Sequence, residues 1–207
     1  IPGFTDSHFH LSNLGKQLDS LNLRNCRSSK DIAERVIKRS LELDEGNWIF
    51  GFGWDHNKWA DQEFPTADLL NDLAISQPVM LTRIDGHSCW VNQKAMQLSG
   101  LDVSINPPDG GDIINDCILI DNAMDPVQFV IPKPDESTVE KWIRLALQII
   151  VPRGITNVHD AWQDPLIVES INDLSSSDQL PIRCYGMIGA SHLNLISEAL
   201  DNGHHYN

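Results

Sequence analysis

Ile1-Pro2-Gly3-Phe4-Thr5-Asp6-Ser7-His8-Phe9-His10-Leu11 is the stretch on which the reading of this chain turns. As a strand, its side chains alternate faces with a period of two, so His8 and His10 share one face and Phe9 takes the other. Pro2-Gly3 is a turn signal that delivers the chain into the strand. Two neutral imidazoles at this spacing can converge on one metal ion, and imidazole is the commonest ligand of zinc and its neighbours. Asp6 falls on the same face, one step back, where a carboxylate orients a ligand from behind. The alternative is a strand whose histidines only pack, and an H-x-H alone supplies no more than a ligand pair.

Outward from this strand, the chain of 207 residues is long enough for one domain with a sizeable core. Its composition is globular, with 41% hydrophobic and 21% charged residues. A net charge of −14 and a pI near 4.7 argue against nucleic acid and anionic membrane as partners. Cys26, Cys89, Cys117 and Cys184 are widely spaced and form no C-x-x-C, which excludes a zinc-finger, redox or dense disulfide pattern. No run reaches the roughly 18 apolar residues of a membrane span. Nothing matches a phosphate loop, a nucleotide fingerprint or a G-x-S-x-G elbow. The chain starts inside a motif and without Met, so we expect it to be a piece of a longer protein.

Local signals give the elements. Ser28 or Ser29 caps a helix through about Asp44, with Ile32, Val36, Ile37 and Leu41 on one face. Residues 48–54 read as a strand relaxed by glycines, and residues 79–84 as a buried one. Asn92 to Ser99 is helical and stopped by Gly100, and residues 101–117 read as loop. Ser137-Thr138-Val139-Glu140 is a capping box that starts a helix carrying Trp142, Ile143, Ala146, Leu147 and Ile150. Ile155 to Val158 is a strand, Asp164-Pro165 opens a helix, Ile182 to Ile188 is a strand, and Leu193 to Leu200 is a helix. Strand and helix alternating in this way imply parallel β/α units.

The first stretch resembles the first strand of the amidohydrolase superfamily. Further motifs narrow the likeness to amidohydrolase family 3, the branch of N-substituted formamide deformylase-like metal-dependent hydrolases. They are Gly53-Trp54-Asp55 with Trp59, Pro65-Thr66, Asp85-Gly86-His87-Ser88-Cys89-Trp90-Val91-Asn92, Gly110-Gly111, Asp121-Asn122-Ala123-Met124, and Gly154-Ile155-Thr156-Asn157-Val158-His159-Asp160. They follow the family's order over residues 1 to about 160. One departure stands out: the family's stretch like G-x-P-T-G is absent between Cys117 and Ile118, from a shortened loop or from missing residues.

The resemblance implies an α/β fold that is part of a (β/α)8 TIM barrel, with a long α+β insertion after its first strand. A complete barrel takes about 250 residues, more than this chain has. The expected division is 1–11 for the first barrel strand, 12–135 for an insertion that caps the site, and 136–207 for the β/α units of the second and third strands. The rest of the barrel and a small β-domain are expected outside the chain. The implied activity is hydrolysis of amide-like C–N bonds other than peptide bonds, with a metal-polarised water attacking the carbonyl. The rivals are a non-catalytic binding protein of the same fold and a hydrolase of esters or lactones.

The expected metal ligands are His8 and His10, for one or two divalent ions, zinc first among them. A lysine, two histidines and a general-base aspartate, which the family takes from later strands, are not in this chain, so by itself it is expected to be inactive. Asp85 and His87 are the expected substrate contacts, with a turn in which Asp85 accepts backbone N–H bonds as the alternative. Trp90, with Trp54 and Trp59, either lines an apolar pocket or fills the core. His159 ends the second strand and either reaches the pocket or makes a structural hydrogen bond. His204-His205 reads as a solvated loop. The expected partner is a small-molecule substrate, the expected compartment the cytoplasm, and a homodimer the assembly to test.

Overall fold

The computed structural model describes residues 3–101 and 107–203. His204, His205 and Pro2 of the Pro2-Gly3 turn lie outside the described residues, as do five residues of the stretch read as loop. The chain divides into two compact units, Ile1–Asp19 with Lys133–Asn207, and Ser20–Pro132.

The first unit opens with strand β1 (Phe4–Phe9) and helix α1 (Leu11–Asp19). The second unit follows in sequence. It holds β2 (Leu21–Asn22), α2 (Ser29–Ser40), β3 (Ile49–Trp54), α3 (Asp68–Asn71), β4 (Val79–Arg83), β5 (Ser88–Val91), α4 (Gln93–Ser99), β6 (Gly111–Ile114), β7 (Ile118–Asp121) and α5 (Asp125–Val130). The chain then returns to the first unit with α6 (Glu136–Ile150), β8 (Ile155–Gln163), α7 (Pro165–Ser176), β9 (Arg183–Ile188) and α8 (Leu193–Asn202). No helix among the described residues is long and apolar enough to cross a membrane.

The first unit's sheet has the order β1-β8-β9, all parallel. Val158, Phe9 and Cys184 point to one face, where Leu11 of α1, Ile143 and Leu147 of α6, and Ile171 and Leu174 of α7 form the core. The helices are cut where their sequences say. Asp164 accepts the Ile167 N–H at 2.9 Å and Pro165 takes the first turn of α7. The start of α6 differs from the capping box expected at Ser137: Asp135 is the cap, accepting the Thr138 N–H at 2.9 Å and the Ser137 hydroxyl at 3.0 Å. Both a carboxylate and a hydroxyl accept from the orphan N–H groups, but only the carboxylate adds a charge that complements the helix dipole. Helix α1 belongs with this unit, although the expected insertion began at residue 12. Its Gly15 backbone lies so close to Trp142 of α6 that a Cβ would collide with the Trp142 carbonyl.

The second unit's sheet has the order β2-β3-β4-β5-β7-β6. Strands β2, β3 and β4 run parallel, and β4, β5, β7 and β6 pair antiparallel. Alternation fills both faces. Val79, Leu81, Trp90 and Ile118 join Trp54, Trp59 and Ile49 in one core, while Met80, Cys89, Val91 and Leu119 join Met96 and Val127 in another. Two expectations fail here. Helix α2 stops at Ser40, and both Ile37 within it and Leu41 at its C-cap are exposed rather than core. The stretch read as loop holds β6, hairpinned to β7 through Asn115-Asp116, both at positive φ (50° and 58°). Asn and Asp tolerate that conformation and so permit the tight return.

Candidate metal centre

His8 and His10 stand at the end of β1 and just beyond it, where a break in the register with β8 falls between Asp6 and Phe9. Their ring centroids are 5.1 Å apart and nearly perpendicular, at 84°. Phe9 turns the other way and packs against the helices. Asp6 does not stand behind a ring as expected: its Oδ1 accepts the backbone N–H of His8 at 3.1 Å and braces the irregular strand end instead.

Strand β8 supplies what the sequence did not point to. The His10 Nδ1 lies 3.1 Å from the Ala161 carbonyl. A carbonyl only accepts, so this nitrogen carries a proton, and in the neutral ring Nε2 is the nitrogen with the lone pair. Asp160, 2% exposed, accepts the Leu11 N–H at 2.5 Å and the Gln163 amide at 2.9 Å. It thereby fastens the residue after His10 to the strand that holds His10's ring. Burial pushes the Asp160 carboxyl above its ordinary range, with Gln163, Leu11 and the charge of His10 opposing. His159, beside it on β8, faces away from the helices and lies against Tyr185, its partner in register on β9, at 5.2 Å between ring centroids.

The other expected residues lie in the second unit. Asp85 accepts the His87 backbone N–H at 3.0 Å and pairs with Arg83, which also reaches Asp55 at 3.6 Å. That is the turn role weighed for it. The His87 Nδ1 meets Asp121 Oδ1 at 2.9 Å, with the imidazole 77% exposed. Trp90 is a correction: it is wholly buried and packed with Trp54 and Trp59 in the core. An indole in a strand buried on both faces is spent on packing. His56, unassigned in the sequence, is buried beside Phe64, and burial together with Arg83 lowers its pKa.

The described residues thus bring His8 and His10 together with the Asp160–Gln163 stretch in one unit, and Asp85 and His87 with Arg83 and Asp121 in the other. No group of three or more His, Cys, Asp or Glu among the described residues is placed to hold a metal ion. Among the described residues the donor set is a pair. Two imidazoles, one with its tautomer fixed for Nε2 ligation, suit zinc as half of a set of about four donors.

A model of the amidohydrolase family matches residues 1–205. YtcJ, a Bacillus subtilis protein named for the amidohydrolases, is 28% identical over 199 residues, which cover 91% of this chain and 38% of YtcJ. N-substituted formamide deformylase of Arthrobacter pascens is 26% identical over 118 residues, 56% of this chain and 22% of the deformylase. The crystal structure of an uncharacterised metal-dependent hydrolase from Pyrococcus furiosus superposes with a TM-score of 0.75 at 25% identity. That match takes in 100% of this chain and 41% of the hydrolase. The chain therefore spans well under half the length of these relatives.

Proposed function

The chain belongs to the amidohydrolase family, and from that premise we propose that it carries the first ligand pair of a metal-dependent hydrolase of C–N bonds other than peptide bonds. One observation carries the proposal. His10 is held by the Ala161 carbonyl in the tautomer that leaves Nε2 free, with the His8 ring against it.

In this reading His8 and His10 hold a divalent ion, zinc first among the candidates, with the remaining donors supplied by protein outside this chain. Such an ion polarises a carbonyl and makes water nucleophilic near neutral pH. The chain's own residues prepare the place. Ala161 orients His10, Asp160 fixes the backbone that follows it, and Asp6 braces the backbone at His8. His159, Asp85 and His87 are proposed substrate contacts; Trp90 is not. Strands β1, β8 and β9 are proposed as three successive strands of a (β/α)8 barrel. Their parallel order, with helices packed on one face, supports that.

The test is metal analysis and turnover of the whole protein that carries this chain, with N-substituted formamides set against esters and lactones. Metal together with formamide hydrolysis, both lost in His10→Ala, is the expected result. Metal without turnover of any of the three classes makes it a binding protein, and turnover confined to esters or lactones replaces the C–N assignment.

A further inference from the structure

We infer that Trp162 is the substrate-facing aromatic platform of the histidine-pair site, selecting a flat apolar or aromatic substituent on the substrate. This rests on the hydrolase reading above and adds a residue that it does not use.

Three observations converge on Trp162. The first is its backbone. The register of β8 with β9 slips between Ala161 and Gln163, so Trp162 is an extra residue, a bulge, at the end of the strand. Its φ is +63°, a conformation that a bulky side chain adopts only at a cost. Bulges beside active sites re-aim side chains, and this one does so visibly. The second is what flanks it. Ala161 gives its carbonyl to His10, and Gln163 gives its amide to Asp160. The indole is therefore thrown out between the residue that holds the His10 ring and the residue that holds Asp160. The third is the ring itself. Trp162 is 74% exposed, yet it is not loose. Its edge rests on the turn after β9, where a Cβ added at Gly189 would lie 3.3 Å from the indole Cδ1, and the Gly189 N–H is tied to the Gln163 carbonyl at 3.0 Å. Gly189 leaves the indole room to lie against this turn.

A core tryptophan is enclosed, as Trp54 and Trp90 are in the other unit. Trp162 instead spends backbone strain to hold its ring exposed at the C-terminal end of β8, beside the turn after β9, and the C-terminal ends of parallel strands are where α/β sheets bind ligands. An indole presented in this way stacks on flat groups.

The experiment uses the whole protein labelled with 5-fluorotryptophan, the Trp162 resonance being assigned by its loss in Trp162→Phe. N-(2-phenylethyl)formamide and N-ethylformamide are titrated in turn. The Trp162 resonance is expected to move with the aryl probe and not with the ethyl one. Trp162→Ala is expected to weaken aryl binding about five- to tenfold, to leave the ethyl probe unchanged and to keep the metal content, while Trp162→Phe restores aryl binding. A Trp162 resonance that ignores the aryl probe up to its solubility overturns the proposal. So does an equal loss for both probes, or loss of metal and fold in both variants, which would make Trp162 a structural residue covered by other parts of the protein. If neither formamide is hydrolysed but the aryl probe still reads Trp162, the hydrolase reading fails and the platform stands. If both are hydrolysed with Trp162 silent, the platform fails alone.

Discussion

The second unit buries its sheet on both faces, whereas the first covers only one. Across β4, β5 and β7 successive side chains go alternately into two cores. Across β1, β8 and β9 one set meets the helices, while Asn157, His159 and Tyr185 face the other way, with Tyr185 and Phe4 both more than half exposed. Parallel sheets occur almost only with both faces covered. Among the described residues, the unit that holds the candidate ligands is thus the less enclosed.

Hydrogen exchange in the isolated chain gives the largest expected contrast. Amides of β4, β5 and β7 should exchange at least about a thousandfold more slowly than those of β1, β8 and β9, since protection follows the free energy of opening each region. Equal, strong protection of Ile155–Val158 and Arg183–Ile188 would mean that the open face costs nothing, and the barrel reading would have to be given up for a smaller α/β fold.

Trp90→Ala comes next. As a core residue it should cost about 3–5 kcal/mol in urea unfolding of the second unit, with Trp90→Phe milder. Loss of ligand binding at unchanged stability would return Trp90 to the site.

The contrast between units also shows what could be read in the sequence. Alternation in Phe4–Phe9 set Phe9 apart from the two histidines, because strand period is a local property. The Asp164-Pro165 cap was equally local. Other features needed partners that sequence order hides. The Ala161 carbonyl on His10 and the Asp160 carboxylate on Leu11 depend on β1 and β8 pairing across some 150 positions, and a backbone carbonyl has no letter of its own. The Trp162 bulge depends on the register with β9. Strand β6 was missed although Asn115-Asp116 between isoleucine-rich runs is a hairpin signal, because the Pro-Gly-rich residues before it outweighed four short strand positions. Trp90 was ambiguous because an indole suits a pocket and a core equally until its neighbours are known.

Asp160→Asn tests the first unit's preparation of its site. Metal affinity of the whole protein should fall about tenfold, the size expected for a residue that orients a ligand, and the fall should vanish in a His10→Ala background. The same variant has a pH signature. The folded-state pKa of Asp160 is raised, so its favourable contribution is complete below the unfolded value of about 3.9 and is lost as pH rises through the raised value. The stability of Asp160→Asn relative to the parent should therefore improve as pH rises from about 4. A flat difference would mean that Asp160 is not enclosed as described.

The smallest effect belongs to Asp135→Ala, which removes the α6 cap and should cost about 1 kcal/mol, while Ser137→Ala costs less. The reverse order would restore Ser137 as the cap.

The metal content of the whole purified protein, by elemental analysis, bears most directly on the histidine pair. At least one divalent ion per chain in the parent, with loss of most of it in His8→Ala and in His10→Ala, is the predicted result. Stoichiometric metal that survives both substitutions, or none in a parent supplied with zinc, would contradict the assignment of His8 and His10 as ligands.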